Sequence, residues 1–531
     1  MRTFKTLVFA LMNLILVSQI QGQVQDSKTL FSIDDIKISE DEFLWMYNKN
    51  AGLTQVSTAL ELDQYLELFI AFKLKVIESQ HQGFDEKPQF QREFKGYKTQ
   101  LERSYLSDQT VTQALLNEAY ERMQYDLKVT HVLVRLGDSI AEKAEIIPFE
   151  KRLSEMTFED LRNQFHNGQT VFVEDLGYFS AFKMDYDFET MAYNTAVGLV
   201  SKPFKTKFGY HVLKVHDRAK FKGDVQVAHI LLSDQPKDTL PSSEEIQMLY
   251  QRLKTGEDFS ELAKTFSDDK QSSGKGGRLE FFRRGQLASD IFENECFSLT
   301  QIGSFSKPFQ TEFGWHIVKL LDVKQIESFE MIKSDIENRI KRDGRSLKIN
   351  EAFYEKLINL YQLNYINPQN DYLLRVINES FFTDNWSPPV DLPQDQVLFI
   401  IADQKVYLSN FVNYLLSNKK RYDASWPIDR LLNDGYKNFV NRQMYVTYQS
   451  ELGSRFPEFK FLLNEYREGL LLFDVMQNNI WNKFPENNED VVIFQEKLEK
   501  KWIESLTNKF KVTVNKDIWN ELKQELLNMD K

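Results

Sequence analysis

Four of the seven histidines in this 531-residue chain fall into two matched pairs, so imidazole chemistry is the first question the sequence poses. His131 stands third in the run Val129-Thr130-His131-Val132-Leu133-Val134, and His229 stands third in Val227-Ala228-His229-Ile230-Leu231-Leu232. Downstream, residues 201–215 (SKPFKTKFGYHVLKV) and 306–320 (SKPFQTEFGWHIVKL) share nine of fifteen positions and supply His211 and His316. Such imidazoles can move protons, support a polar network beneath a reacting group, or simply bridge strands through satisfied hydrogen bonds. Residue types alone leave all three readings open. No metal is expected, because neither H-x-x-x-H nor H-E-x-x-H occurs. Cys296, the single cysteine, excludes a disulfide framework, a cysteine-based zinc finger and an iron–sulfur cluster. On an apolar helix it is expected to be a buried, inert thiol. The Gly274-Lys275-Gly276-Gly277 segment lacks the phosphate-loop pattern and reads as a turn.

The elements that must position these residues repeat as well. Residues 127–218 and 225–324 are two copies of one module. In the second copy a strand over 227–232 leads to a helix opening at Ser242 or Ser243, where Ser242-Ser243-Glu244-Glu245 reads as a capping box. A short helix over Phe259 to Phe266, a strand over Arg278 to Phe282, a helix around 289–298 and a final strand over 314–321 follow. This order predicts an α+β domain built on a small sheet. The outer segments echo one another more faintly. Ile33, Asp35, Lys37, Ile38 and Phe43 match Ile401, Asp403, Lys405, Val406 and Phe411 at an offset of 368. Pro88, Phe90, Tyr97, Lys98 and Leu101 match Pro457, Phe459, Tyr466, Arg467 and Leu470 at an offset of 369. Leu62, Leu66, Phe69 and Phe72 recur at helical spacing, so these outer modules read as mainly helical. The expected organisation is a leader over 1–22, an N-terminal helical module over 24–126, the two repeated modules, a long connecting helix over 325–364, and a C-terminal helical module over 365–531.

Composition narrows the function. The 66 basic and 78 acidic residues give a formal charge of −12, which argues against nucleic acid as a partner. The start Met1-Arg2-Thr3-Phe4-Lys5, the apolar run Leu7 to Val17 and the polar stretch to Gln23 form the tripartite pattern of a secretory signal, with cleavage expected after Gly22. The rival reading, an uncleaved anchor, is weaker because the run is about half the length of a spanning helix. No later window holds eighteen consecutive apolar residues, so a mature chain without a membrane span, periplasmic or secreted, is expected.

Several motifs carry a resemblance to a known family. V-A-H-I-L-L (227–232), F-S-D-D (266–269), G-G-R-L-E-F-F-R-R-G-Q-L (276–287), F-E-N-E-C-F (292–297) and F-G-W-H-I-V-K-L (313–320) together resemble parvulin-type peptidyl-prolyl cis–trans isomerase domains. The first copy keeps the opening His strand, Leu176-Gly177-Tyr178-Phe179, Phe188-Glu189 and F-G-Y-H-V-L-K-V. With helical modules on both sides, the chain resembles secreted chaperone-isomerases of the SurA and PpiD kind, and Glu465-Tyr466-Arg467-Glu468-Gly469 resembles the long isomerases of Bacteroidota. The resemblance implies an α+β multidomain fold: two domains of small antiparallel sheet with surrounding helices, flanked by mainly helical chaperone-like modules. It implies a catalytic network of His229, Asp269, His316 and Thr311. It implies a proline pocket walled by Leu287, Phe313 and either Ile291 or Phe292, because one extra residue follows Leu287. The first-module equivalents are His131, Met184, Phe188 and His211, but the S-D-D element is missing there. That copy is therefore expected to bind proline segments more than to turn them over.

An Xaa-Pro bond isomerises over a barrier of about 18–20 kcal/mol, and a catalyst needs only to bind the twisted amide better than the planar one. No cofactor is required. The implied function is a periplasmic folding factor that binds unfolded or nascent envelope proteins, with outer-membrane β-barrels as one client class. The rival is a holdase whose parvulin modules bind without useful turnover. The 42 Phe and 22 Tyr are mostly core, but Phe43-Leu44-Trp45-Met46-Tyr47 and Phe381-Phe382 with Trp386 are expected to help line a client groove.

Overall fold

A computed structural model of the chain describes residues 28–50, 58–135, 141–234, 241–363, 371–383, 386–486 and 489–529. The expected leader lies outside the described residues. The chain forms two units, one drawn from Met1–Leu106 and Lys437–Lys531, the other Ser107–Tyr436.

The two histidine-bearing runs become strands because their residues alternate between two apolar environments; the first is interior to its sheet, whereas the second stands at the end of its strand order. In Asp224–Leu232, Ala228, Ile230 and Leu232 face the helices Ser242–Lys254 and Phe259–Phe266, packing on Ile246, Leu249, Leu253 and Leu262. Val225 and Val227 point to the opposite face, against Phe292, Cys296 and Phe297 of the helix Asp290–Ser298. His229 shares that face. The sheet order is Asp224–Leu232, Gly314–Lys324, Phe309–Thr311, all antiparallel. The first module has four antiparallel strands in the order Val171–Phe179, Tyr125–Arg135, Gly209–Lys220, Phe204–Thr206.

Three local expectations are corrected. Arg278 to Phe282 is not a strand but two isolated bridges, Ala228 with Arg278 and Val225 with Phe282. The pairing slips by one residue between them, and a bulge of that kind interrupts a ladder. The helix Ser242–Lys254 has Pro241 as its N-cap and no capping box; the Ser242 hydroxyl donates instead to the Ser233 carbonyl, at 2.8 Å. The long connecting helix is two helices, Phe329–Ile340 and Arg345–Tyr361. The break lets Arg345 turn inward to ion-pair with Glu189 and Asp343, and Gly344 packs directly on Tyr186.

In the other unit the chain ends meet. Val512–Val514 adds a third strand beside the hairpin Thr29–Ile33 and Ile36–Ser39. Phe31, Phe43 and Phe69 share one core with Trp519, Leu522 and Leu526. Lysines of the early segment pair with glutamates of the late one, Lys49 with Glu465 and Lys73 with Glu468 (both 2.6 Å), and Lys509 returns the pairing to Glu78 (2.6 Å). The faint repeat is structural. Pro88 and Pro457 each open a helix at its first turn, where a missing N–H costs nothing. Their equivalent tyrosines, Tyr97 and Tyr466, stack on each other at 3.7 Å and 5°. The hairpin itself recurs within the Ser107–Tyr436 unit, as Val397–Ile401 and Gln404–Tyr407, followed, as in the first copy, by a helix, Leu408–Ser417.

The aromatic clusters expected to line a client groove are largely core. Phe43, Tyr47 and Phe381 are buried: Phe43 contacts Tyr65, Phe69 and Trp519 edge-on, and Phe381 contacts Phe382 and Trp386. Phe43→Ala should therefore lower the unfolding free energy of this unit by about 3–5 kcal/mol, read from the Trp519 environment during denaturant titration.

Candidate active site

Register brings each histidine pair together. His229 lies opposite Val318 and His316 opposite Leu231, so the two side chains are diagonal neighbours on one face of the sheet. Their rings stack at 5.9 Å and 18°. Phe292 stands edge-on to both, at 5.5 Å from His229 and 5.2 Å from His316. Phe309, directly across the ladder from His316, stacks on its other side at 5.4 Å. The histidines are thus packed between apolar rings and nearly cut off from solvent. Burial holds both imidazoles below their ordinary pKa, His316 at about 4, so they are neutral at physiological pH.

Neutral buried imidazoles need partners, and the outer nitrogens have them. His229 Nε2 lies 2.8 Å from Asp269 Oδ2 and 3.1 Å from Ser272 Oγ, and the Ser272 hydroxyl donates to the same carboxylate. Asp269 stays ionised: burial alone would raise its pKa, but the hydrogen bonds from Ser272 and His229 outweigh it and hold it low. His316 Nε2 lies 2.8 Å from Thr311 Oγ1, which accepts the Phe313 amide at 3.1 Å. The Nδ1 atoms of His229 and His316 are buried without a hydrogen-bond partner.

The first module repeats this geometry and closes it. His131 and His211 stack at 5.5 Å, their Nδ1 atoms 3.4 Å apart. Thr206 Oγ1 is 2.8 Å from His211 Nε2 and accepts the Phe208 amide at 3.1 Å. Phe188 stands edge-on to both rings and Phe204 stacks on His211. Burial lowers His211 to about 3. The carboxylate that the sequence seemed to lack is supplied by Glu174, from the neighbouring strand Val171–Phe179, with Oε2 3.0 Å from His131 Nε2. A carboxylate only accepts and a main-chain amide only donates. With one proton per ring, a single polarity satisfies every atom: Phe208 N–H to Thr206, Thr206 O–H to His211 Nε2, His211 Nδ1–H to His131 Nδ1, and His131 Nε2–H to Glu174. In the second module the Asp269 carboxylate likewise puts the proton on His229 Nε2.

The other expected residues fall as follows. Phe292 rather than Ile291 forms the wall beside the histidines, since Phe292 is buried and Ile291 is 52% exposed. Leu287 and Met184 are half-buried against the cores holding Phe292 and Phe188, respectively. Phe313 is 55% exposed and meets the network only through its amide, which donates to Thr311. Cys296 is fully buried, and burial pushes its thiol far up, so it is inert. Ser272, Phe309, Phe204 and Glu174 escaped the sequence reading. Phe204 and Phe309 were visible as the shared phenylalanine of S-K-P-F, whereas Glu174 carried no motif. No group of three or more metal-ligating side chains is found among the described residues.

Residues 131–217 and 229–322 each match the Rotamase family, described as PPIC-type PPIASE domain. The two modules are therefore two parvulin-type domains in one chain. It is 25% identical over 339 residues to the chaperone SurA of Pseudomonas aeruginosa, covering 60% of this chain and 76% of that protein. It is 31% identical over 267 residues to the chaperone SurA of Nitrosococcus oceani, covering 47% of this chain and 60% of that protein. Among solved structures, NmPin, the parvulin of Nitrosopumilus maritimus, is 36% identical, with 19% of this chain and 98% of that chain covered and a TM-score of 0.16.

The Gly274–Gly277 segment is a turn with a structural purpose. Gly277 has φ +79, and a Cβ there would lie 2.2 Å from the His229 carbonyl. Its own carbonyl accepts the His229 amide at 2.8 Å, and its amide donates to Ser272. Gly277→Ala should cost about 2 kcal/mol or more by forcing a left-handed backbone and a clash. It should also shift the His229 ring signals in NMR spectra, whereas those of His131 stay in place.

Proposed function

We propose that the chain is a periplasmic or secreted folding factor that binds unfolded envelope proteins, outer-membrane β-barrels among them, and isomerises Xaa-Pro bonds in its second module. The observation that carries the reading is the neutral, ring-enclosed histidine pair ending on Asp269, with Leu287 packed on the core that holds Phe292. Twisting the Xaa-Pro amide removes the partial charges of the planar form. A dry apolar wall beside uncharged imidazoles disfavours the charge-separated planar state relative to the twisted one. Lowering the barrier by ~7 kcal/mol would give about a 10⁵-fold acceleration. No bond to the protein forms and no proton is consumed. His229, His316, Asp269 and Thr311 are assigned to the polar network under the amide, and Leu287, Phe292 and Phe313 to the proline ring.

The secreted setting is supported by the signal-like N-terminal sequence and by the SurA relatives; no helix among the described residues is long and apolar enough to cross a membrane. The competing reading is a holdase whose modules bind proline segments without turnover. Isomerisation of a proline peptide by the full chain decides between them. The isomerase reading expects a rate well above buffer that falls at least about tenfold in Asp269→Ala and in Thr311→Val, each of which breaks one end of the network. A wild-type rate equal to buffer, with client aggregation still suppressed, would establish the holdase instead.

The depressed histidine pKa values also fix a pH dependence. Because His316 and His211 fall from an ordinary 6.5 to about 4 and about 3, their contribution to stability is complete above about pH 6.5 and is lost as pH drops toward those values. The isomerisation rate should accordingly be flat between about pH 6.5 and 8 and decline only in acid, without the inflection near neutrality that a general-base histidine would give.

A further inference from the structure

The loop that carries Leu287 is held from two sides, and one of those sides is the other module. From its own module, buried Glu293 accepts the Gly285 amide at 2.8 Å and the Leu287 amide at 2.7 Å. From the first module, the grip is on Arg283. Its Nε donates to Asp126 Oδ1 at 2.8 Å, its Nη2 donates to the Met123 carbonyl at 2.7 Å, and its guanidinium lies 3.9 Å from the Phe221 ring in the joint between modules. Asp126 is 3% exposed, so its carboxylate depends on this arginine for neutralisation. Two residues on, Gly285 has φ +79 and lies so close to Tyr178 of the first module that a Cβ would stand 1.9 Å from the Tyr178 carbonyl oxygen. Arg284 covers the same Tyr178 ring, and Lys128 ion-pairs with Asp290 at 2.8 Å, at the start of the helix that carries Phe292. Both walls of the second pocket, Leu287 and Phe292, therefore sit on segments tied to the first module.

The first module shows the same device with different suppliers. Glu189, the counterpart of Glu293, accepts the Phe182 amide at 2.8 Å in the loop before Met184. It is gripped in turn by Arg122 at 3.0 Å and by the fully buried Arg345, from helices outside the module. In each copy a buried glutamate after the pocket phenylalanine fixes the pocket loop, and an arginine bond ties that assembly to a neighbouring element.

We propose that Arg283 is a positioning residue that fixes the proline-pocket loop of the second module onto the first, so that the first module is a working part of the second module's substrate site. The proposal rests on the reading that the second module is an isomerase. An arginine is required because only a planar fork can meet a carboxylate, a carbonyl and an aromatic face together. Loss of the tie frees Leu287 without touching the histidine network, so it weakens peptide binding more than the twisting step.

The test is steady-state isomerisation of a proline peptide by the full chain, with Arg283→Ala, Arg283→Lys, Asp126→Asn and the Arg283→Ala/Asp126→Asn double variant. Arg283→Ala is expected to raise KM by about fivefold or more while kcat stays within about twofold. Asp126→Asn is expected to do the same, and the double variant to be no worse than Arg283→Ala alone, since both remove one contact. Arg283→Lys keeps the charge and should give an intermediate KM, which decides the matter if Arg283→Ala does not fold. A wild-type chain that turns over peptide, with folded Arg283 variants of unchanged KM, overturns the positioning role and leaves the isomerase reading intact. A fall in kcat at constant KM also overturns it. A wild-type chain with no rate above buffer overturns both.

Discussion

Burying two imidazoles side by side under apolar rings is the constraint around which each parvulin module is arranged. Desolvation holds His211, His229 and His316 neutral, and a neutral buried imidazole still presents one donor and one acceptor that need partners. The chain meets that need at both ends, with a threonine on one side and a carboxylate on the other. The threonine is set by the short strand just before each second histidine. In the second module, the turn through Gly277 brings Ser272 and Asp269 against the first. The modules differ in how tightly the rings meet. The Nδ1 atoms are bonded in the first and apart in the second, with ring centroids at 5.5 and 5.9 Å.

The strands hold the network, whereas Leu287, proposed as a wall of the proline pocket, stands on a loop whose geometry is imposed by Glu293 and by the docking surface of the other module. Glycine at 285 is needed because the backbone passes too close to Tyr178 for any side chain. A repeated module thus becomes asymmetric: the second copy is braced by the first, and the first by helices through Arg122 and Arg345.

The sequence made the histidine pairs, Thr311 and the phenylalanine wall legible because a repeat and a family motif coincide on them, whereas Asp269 rested on the F-S-D-D motif alone. The choice between Ile291 and Phe292 was not legible, since an extra residue after Leu287 shifts the helix start, and only the Ser289 cap onto the Phe292 amide settles which side chain turns inward. Glu174 was invisible for a topological reason. It takes the place of a carboxylate that the second module delivers from a loop, but it comes from a strand, and pairing across strands leaves no fixed spacing to read. The apolar periodicity of 328–361 extended through a break that depends on Arg345 finding Glu189 far away in sequence. The aromatic run at 43–47 reads as exposed surface because burial against a distant residue such as Trp519 cannot be read locally.

The protonation of His211, His229 and His316 tests the account most directly. With the imidazole nitrogens labelled in the full chain, nitrogen chemical shifts distinguish the two neutral tautomers from the cation. At about pH 7 the account predicts that all three rings are neutral, with the proton on Nε2 in His229 and on Nδ1 in His211. A cationic ring at any of the three, or the reverse tautomer at His229 or His211, would contradict it.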